Sequence, residues 1–241
     1  MRFKGKKAVV VGAREESIGQ AIARGLAAEG AQVCVWDIDV DSAKKAVGEK
    51  AKFMKVDALD HGSVKSATEE TIKEMGGIDI LVGTVGGGRV SVMLTDMDAE
   101  TFKSEVEFTG VTMFNCAQSV LGHFMGKGEG KMLFFTSATG GVPGLTGYGA
   151  GKAVLESVMK SIQAETGGTK ININAILPGI VGTKLTKGFF ESQGMNGEEM
   201  LTALGAANPR GMNTQEEVAG VALFMLSSEA DRLKGQILMM D

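Results

Sequence analysis

Short apolar runs alternate with longer amphipathic stretches along most of the chain. The apolar runs are rich in valine, isoleucine and leucine and predict strands at 8–11, 32–36, 52–56, 78–82, 131–135, 171–176 and 236–240. The amphipathic stretches carry apolar residues at helical spacing at 17–29, 62–75, 99–125, 149–166 and 215–226. Strand followed by helix, repeated, predicts an α/β fold with a doubly wound parallel sheet of about seven strands and helices on both faces. We expect one domain over residues 1–241.

The composition argues against several classes of function. With 241 residues, of which 44% are hydrophobic, the chain can bury a sizeable core. The net charge is −4 and the basic residues are scattered, so no nucleic-acid partner is expected. No apolar run approaches the roughly 20 residues that cross a bilayer, and no signal peptide is evident, so we expect a cytoplasmic protein without a membrane partner. Cys34 and Cys116 are predicted core thiols, and His61 and His123 lack partners at metal-binding spacing, so no metal site is expected.

A glycine turn joins the first predicted strand to the first helix. The residues expected to contact a cofactor there are Gly12, Arg14, Ser17, Ile18 and Gly19. Glycines permit a tight turn and a close approach of a dinucleotide pyrophosphate, which the N–H groups at a helix start would bind. Asp37, at the end of the second strand, can accept both hydroxyls of an adenosine ribose and would repel a 2′-phosphate. The pattern therefore favours NAD over NADP on a Rossmann-type domain, with Arg14 offsetting part of the repulsion, and a plain strand–helix turn is the alternative.

The chain has a single tyrosine, and it stands four residues before a lysine. Tyr148 and Lys152 would share one face of a helix, and Ser137 follows the fifth predicted strand. A nearby ammonium and an oxidised nicotinamide both favour the phenolate, so Tyr148 would exchange a proton with a substrate hydroxyl. Ser137 would stabilise charge on the same oxygen. The three residues predict alcohol–carbonyl interconversion, and the alternative is that they are a turn serine and two surface side chains.

These motifs, in this order, resemble those of the short-chain dehydrogenase/reductase family over nearly the whole chain. The resemblance implies that Ser137, Tyr148 and Lys152 are catalytic, and that Tyr148 and Lys152 also contact the cofactor. Further cofactor contacts that it implies are Asp57, Ala58, Thr84, Val85, Gly86, Pro178, Gly179, Val181 and Thr183. It also implies a homo- or hetero-oligomer, either dimer or tetramer, assembled through the helices at 99–125 and 149–166.

Three positions depart from the family's pattern. Glu107 occupies the slot of an asparagine that helps to hold a proton-relaying water, and we expect it to attract Lys152 or to relay protons itself. The glycine loop is one residue longer than usual, with Ser17 in place of the middle glycine. Gly83-Thr84 replaces an asparagine pair that braces neighbouring strands. The last two changes are expected to weaken cofactor binding, and Glu107 becomes a fourth candidate catalytic residue.

Two functional classes remain open. The first is an active NAD-dependent dehydrogenase or ketoreductase of a secondary alcohol. The loops at 87–96 and 139–147 and the substrate-capping segment at 184–212 are apolar and small, which favours a hydrophobic hydroxyacyl thioester or ring alcohol. The second class is a catalytically impaired or silent subunit that supports an active paralogue in a hetero-oligomer. NAD binding separates the two classes first.

Overall fold

A seven-stranded parallel sheet forms the centre of the molecule in a computed structural model that describes residues 1–240. The strands are β1 (Lys7–Val11), β2 (Gln32–Asp37), β3 (Ala51–Lys55), β4 (Ile80–Gly83), β5 (Glu129–Phe135), β6 (Lys170–Leu177) and β7 (Ile237–Met239). They lie in the order β3-β2-β1-β4-β5-β6-β7, and every neighbouring pair is parallel. The order reverses between β1 and β4, which confirms the doubly wound sheet predicted from the sequence.

Helices cover both faces of this sheet. They are α1 (Ile18–Ala28), α2 (Val40–Val47), α3 (His61–Met75), α4 (Ala99–Val106), α5 (Thr112–Lys127), α6 (Thr146–Glu165), α7 (Lys184–Ser192), α8 (Gly197–Ala207) and α9 (Gln215–Leu226). Side chains alternate across β1, so that Ala8 and Val10 pack with α1, α2 and α9 while Val9 and Val11 pack with α3, α5 and α6. The strands are therefore buried on both faces, which explains their nearly continuous apolar sequences.

Several element boundaries differ from the prediction. The helix predicted over 99–125 is divided by a π-helical turn, Glu107–Val111, between α4 and α5. Helix α6 begins at Thr146, so Tyr148 lies in its first turn. Strand β4 begins two residues later than predicted, and the Ile78 N–H donates to His123 Nε2 at 3.0 Å instead of to a neighbouring strand. Helices α2, α7 and α8 were not predicted.

The parallel arrangement positions the site. All strands end at the same edge, so the loops that follow β1 to β6 meet there. The predicted cofactor and catalytic residues lie in these loops or directly beside them, since Asp37 ends β2 and Ile18 and Gly19 begin α1. The exceptions are Glu107 and the two residues on α6. Among residues 1–240, no helix combines the length and the apolar character that crossing a bilayer requires.

Candidate active site

The loop after β1 packs tightly against the start of α1. Gly12 has a left-handed backbone, with φ of +83°, and a Cβ added there would lie 2.8 Å from Val85 Cγ2. A Cβ added to Gly19 would lie 1.8 Å from the Gly12 carbonyl oxygen. Only glycine fits either position without movement of the loop. The bare backbone at the start of α1 is the cradle that a pyrophosphate requires.

Ser17 caps α1. Its Oγ accepts a hydrogen bond from the Gln20 N–H at 3.1 Å and donates one to the Arg14 carbonyl at 2.6 Å. The left-handed position near it falls on Glu16, with φ of +55°, which costs about 1 kcal/mol in a residue other than glycine. In this longer loop, Ser17 takes the place of the middle glycine and caps the start of α1. Ile18 begins the helix, whose first-turn N–H groups have no partner within the helix and are free to bind an anion.

Asp37 connects the end of β2 to the glycine loop. Its side chain is buried, with Oδ2 accepting from the Ala13 N–H at 2.9 Å and Oδ1 from the Asp39 N–H at 2.9 Å. Arg14 approaches the same carboxylate, with Nε 3.8 Å from Oδ1, and is largely exposed. Both carboxylate oxygens retain a lone pair for a ribose hydroxyl. The buried carboxylate is compatible with the predicted ribose contact, and Arg14 lies beside the same carboxylate.

The loop after β3 is held by a residue that the sequence analysis missed. The Asn115 side chain of α5 donates to the carbonyls of Ala58 and Leu59 at 3.0 and 3.1 Å. Asp57 in turn caps this loop, its Oδ1 accepting from the Leu59 N–H at 3.0 Å. Asn115 is buried between apolar neighbours on its helix, and a polar residue at a core position was the available sequence signal.

Thr84 replaces the brace that the sequence analysis expected to be lost. Its Oγ1 lies 2.9 and 2.5 Å from the carbonyl oxygens of Val11 and Gly12, and its single proton can be donated to either, so a hydroxyl joins the ends of β1 and β4. Thr84 therefore connects these two strands, and the expected effect on cofactor binding stays a prediction. Gly86, two residues later, has φ of +123° and passes close to α6, where a Cβ on it would lie 3.6 Å from Lys152 Nζ.

The three predicted catalytic residues converge at the end of β5. Ser137 follows β5, while Tyr148 and Lys152 lie on one face of α6. Lys152 is buried, its Nζ donates to the Phe135 carbonyl at 2.6 Å, and it lies 5.5 Å from the centroid of the Tyr148 ring.

Burial controls the titration of these groups. Burial raises the pKa of Tyr148, and the Ser137 hydroxyl lowers it by a smaller amount. Burial also lowers the pKa of Lys152 from 10.5 to about 8. From the sequence we predict that an ammonium and an oxidised nicotinamide together favour the phenolate. In the chain by itself, burial raises the pKa of Tyr148 more than the Ser137 hydroxyl lowers it, and the phenol stays protonated at neutral pH.

Glu107 lies away from Lys152. Its carboxylate is about half exposed and is 3.9 Å from Lys103 Nζ, one helical turn earlier. The expected attraction between Glu107 and Lys152 is therefore wrong, because the π-helical turn that begins at Glu107 directs this side chain to the surface. The Thr109 hydroxyl of the same turn is instead fully buried without a hydrogen-bond partner in the described chain, and Thr109 packs beside Gly86.

The loop after β6 joins the site to the capping segment. Val181 forms an isolated bridge with Asn213, and Thr183 caps α7 by accepting from the Thr186 N–H at 3.1 Å. Pro178 and Gly179 precede this bridge at the end of β6. The loop therefore lies at the sheet edge between β6 and the first helix of the capping segment.

An ion pair that was not predicted lies beside the catalytic helix. Arg89, after β4, contacts the buried carboxylate of Glu105 on α4, with Nε 2.8 Å from Oε1. The sequence signal for this ion pair was Glu105, an acidic residue at a helix position that faces another helix.

The residues present fit a dinucleotide. Two glycines that admit no side chain, a capped helix start and a buried carboxylate occur in the order that a pyrophosphate and a ribose require. No cluster of three or more metal-ligating side chains is found among residues 1–240.

The chain is similar to bacterial oxidoreductases over nearly its whole length. A family model described as enoyl-(acyl carrier protein) reductase matches residues 12–241. The chain is 30% identical to the 3-oxoacyl-(acyl-carrier-protein) reductase FabG of Chlamydia muridarum, over 98% of this chain and 96% of that protein. It is 31% identical to the oxidoreductase UcpA of Salmonella typhimurium, over 97% and 92%. A crystal structure assigned to the short-chain dehydrogenases/reductases, from Burkholderia xenovorans, matches with a TM-score of 0.90 and 26% identity, over 100% of this chain and 96% of that one.

Proposed function

The chain belongs to the short-chain dehydrogenase/reductase family, and from this premise we propose that it is an NAD-dependent enzyme that interconverts a secondary alcohol and a ketone. Membership makes it an oxidoreductase acting on CH–OH groups with a nicotinamide cofactor. The observation that carries the proposal is the convergence of Ser137, Tyr148 and Lys152 at the end of β5, beside a dinucleotide cradle.

The side chains divide the proton chemistry between them. A bound nicotinamide supplies or accepts the hydride. Tyr148 Oη exchanges a proton with the substrate oxygen, and the Ser137 hydroxyl donates a hydrogen bond to that oxygen as its charge develops. Since the pKa of Lys152 is about 8, this side chain is mostly protonated at neutral pH, and its ammonium favours the ionised form of Tyr148. The Phe135 carbonyl fixes the ammonium in place.

Asp37 supports the choice of NAD. A buried carboxylate that already accepts two backbone N–H groups is rigid, and it would oppose a second negative charge at the ribose 2′ position. Arg14 is the opposing influence, but at 3.8 Å from Asp37 and largely exposed, its charge is screened by solvent.

The surroundings of the site support a hydrophobic substrate. Apolar side chains remain exposed on the loop after β4, on the 139–147 loop and on the capping segment, namely Met93, Leu94, Val142, Leu185 and Met195. Exposed apolar side chains in one region indicate a binding surface. We propose a hydroxyacyl thioester or a ring alcohol as the substrate class.

The alternative, an impaired subunit that supports an active paralogue, drew on two departures from the family pattern. Thr84 makes the brace that was expected to be lost, and Glu107 does not pair with Lys152. Both observations support an active enzyme.

We also propose a dimer or tetramer assembled through α4, α5 and α6. Phe102 and Phe114 expose 40% and 44% of their surface on α4 and α5. Such aromatic groups are expected at a subunit interface. Light scattering on Phe114→Glu, which should dissociate the assembly, tests this.

The central experiment combines binding and turnover. Calorimetry should show NADH binding, and a panel of hydroxyacyl thioesters and ring alcohols should give NADH absorbance. Tyr148→Phe should lower kcat by about a hundredfold or more and, because the ring is kept, change the NADH dissociation constant far less. Absence of NADH binding at millimolar concentration would contradict the enzyme proposal. Turnover within tenfold of the wild type in Tyr148→Phe would contradict the role of the tyrosine.

A further inference from the structure

Glu105 is a buried carboxylate to which the proposed chemistry gives no role. Its side chain is 4% exposed and lies on α4. An ionised carboxylate in such a position needs a charged or hydrogen-bonded partner, because burial alone strongly disfavours it. Glu105 finds both kinds of partner in one residue.

Arg89 contacts Glu105 through its main chain and its side chain. The Arg89 N–H donates to Oε2 at 3.1 Å, and Nε donates to Oε1 at 2.8 Å. The guanidinium also donates through Nη2 to the Ser104 carbonyl and hydroxyl, both at 2.7 Å, and lies 4.5 Å from the centre of the Phe108 ring. These contacts fix the Arg89 backbone relative to α4.

The segment fixed in this way contacts the catalytic helix. Arg89 directly follows the run Gly86–Gly88. A Cβ on Gly88 would lie 3.7 Å from Tyr148 Cγ. Three successive glycines have no side chains to hold them and are the most flexible segment that a chain can form. Its position against Tyr148 therefore depends on the anchors at its two ends.

Glu105 also touches the catalytic helix directly. A Cβ on Gly147, the residue before Tyr148, would lie 2.7 Å from Glu105 Cβ. The side chain is therefore packed under the first turn of α6 while its carboxylate holds Arg89. One residue of α4 thus contacts both the glycine run and the helix that the run faces.

We propose that Glu105 and Arg89 are positioning residues, which hold the Gly86–Gly88 run against Tyr148 and so fix the position of the phenol for proton transfer. The inference rests on the proposed function, since the position of the phenol matters only if Tyr148 transfers the proton. Loss of the pair allows the end of the run beside Arg89 to move away from Tyr148, which leaves the phenol less well placed, while the ribose and pyrophosphate contacts, more distant along the sheet edge, are retained.

The test compares Glu105→Gln with Glu100→Gln, a control on the exposed side of the same helix. Glu105→Gln should lower kcat about 10- to 100-fold while the NADH dissociation constant changes less than about threefold. Glu100→Gln should change neither. In the double variant Glu105→Gln/Arg89→Lys, kcat should be no lower than in the more impaired single variant, because both changes break one contact. Additive losses would contradict the pairing.

Hydrogen exchange gives a readout independent of turnover. Peptides covering residues 86–95 should exchange faster in Glu105→Gln, whereas peptides from α1 and β2 should not. If Glu105→Gln exchanges faster throughout because it folds poorly, Arg89→Lys replaces it, since it keeps the charge and loses only the planar donor group. Unchanged exchange at 86–95 in Arg89→Lys, or in a well-folded Glu105→Gln, overturns the proposal. A wild-type protein without turnover would contradict the proposed function. The exchange result would still show whether Glu105 and Arg89 hold the glycine run.

Discussion

The two sides of the candidate site are built differently. On the cofactor side, Asp37 is 5% exposed, and α1 buries Ile22, Ala23 and Leu26 completely. On the substrate side, none of the described residues of α7 is fully buried, and α8 buries only Gly197. The cofactor side is part of the core, whereas the capping segment lies on its surface.

The difference shows how one fold can keep its cofactor and change its substrate. Residues that shape the dinucleotide cradle also hold the sheet together, so a change there costs stability. Residues of the capping segment make few buried contacts, so they can change at little cost to folding. The following predictions test this contrast.

The largest difference is expected for the same substitution made on each side. Gly19→Ala places a Cβ 1.8 Å from the Gly12 carbonyl, so we expect a loss of about 3 kcal/mol in the free energy of unfolding and of NADH binding. Gly188→Ala in α7 meets open space and should stabilise the protein by up to about 1 kcal/mol. Urea denaturation and calorimetry measure both effects. Equal changes in the free energy of unfolding of the two variants would contradict the difference between the cofactor side and the substrate side.

Lys152 should give the next largest effect, through pH. Burial lowers its pKa from 10.5 to about 8, so between these pH values the unfolded chain holds a proton that the folded chain has released. The free energy of unfolding should therefore rise with pH across this window, by at most about 3 kcal/mol relative to Lys152→Met. The control is Lys187→Met, which removes an exposed lysine of the capping segment whose pKa is raised by Glu198. A flat difference between wild type and Lys152→Met would show that the ammonium is solvated.

Asp37→Ala should affect the cofactor more than the fold. Loss of the ribose contacts should weaken NADH binding about tenfold or more, whereas NADPH, which the carboxylate repels, should lose less. Calorimetry with both cofactors measures the change in preference. Equal losses would indicate that Asp37 only supports the glycine loop.

The smallest effect is expected at Leu185, on the substrate side. This side chain is 53% exposed and contacts the glycine run, where a Cβ on Gly87 would lie 2.5 Å from its Cδ2. Leu185→Ala should change the free energy of unfolding by less than about 0.5 kcal/mol and raise KM for a hydrophobic alcohol about threefold. NADH affinity should not change. A large loss of stability would place the capping segment in the core.

The sheet and its functional edge could be predicted because they follow from repeated local patterns. Apolar runs such as 171–176 on β6 are buried on both faces, and parallel strands bring their following loops to one edge. This placed Gly12, Asp37, Ser137 and the helix of Tyr148 correctly relative to the strands. Their contacts with a bound cofactor stay a prediction.

What could not be predicted depended on the exact direction of a side chain or on contacts between distant segments. Glu107 was assigned to Lys152 by position, but a π-helical turn directs it elsewhere. Thr84 differs from the expected asparagine, yet one hydroxyl makes the same connection between strands. The start signals of α7 and α8, Thr183 and Asn196, were present in the sequence, but both helices carry too few buried residues to give a clear apolar period.

The π-helical turn at 107–111 has a consequence for how the chain can change in length. One extra residue in a helix rotates everything beyond it by about 100°. Here that rotation lets α4 direct Glu105 toward α6 while α5 directs Asn115 toward the loop after β3. Deleting one residue would restore regular backbone hydrogen bonds and at the same time turn one of these side chains away from its target. The extra residue therefore sets how far α5 is rotated about the helix axis relative to α4. We expect a chain with a shorter, regular helix to lose either the Glu105 or the Asn115 contact.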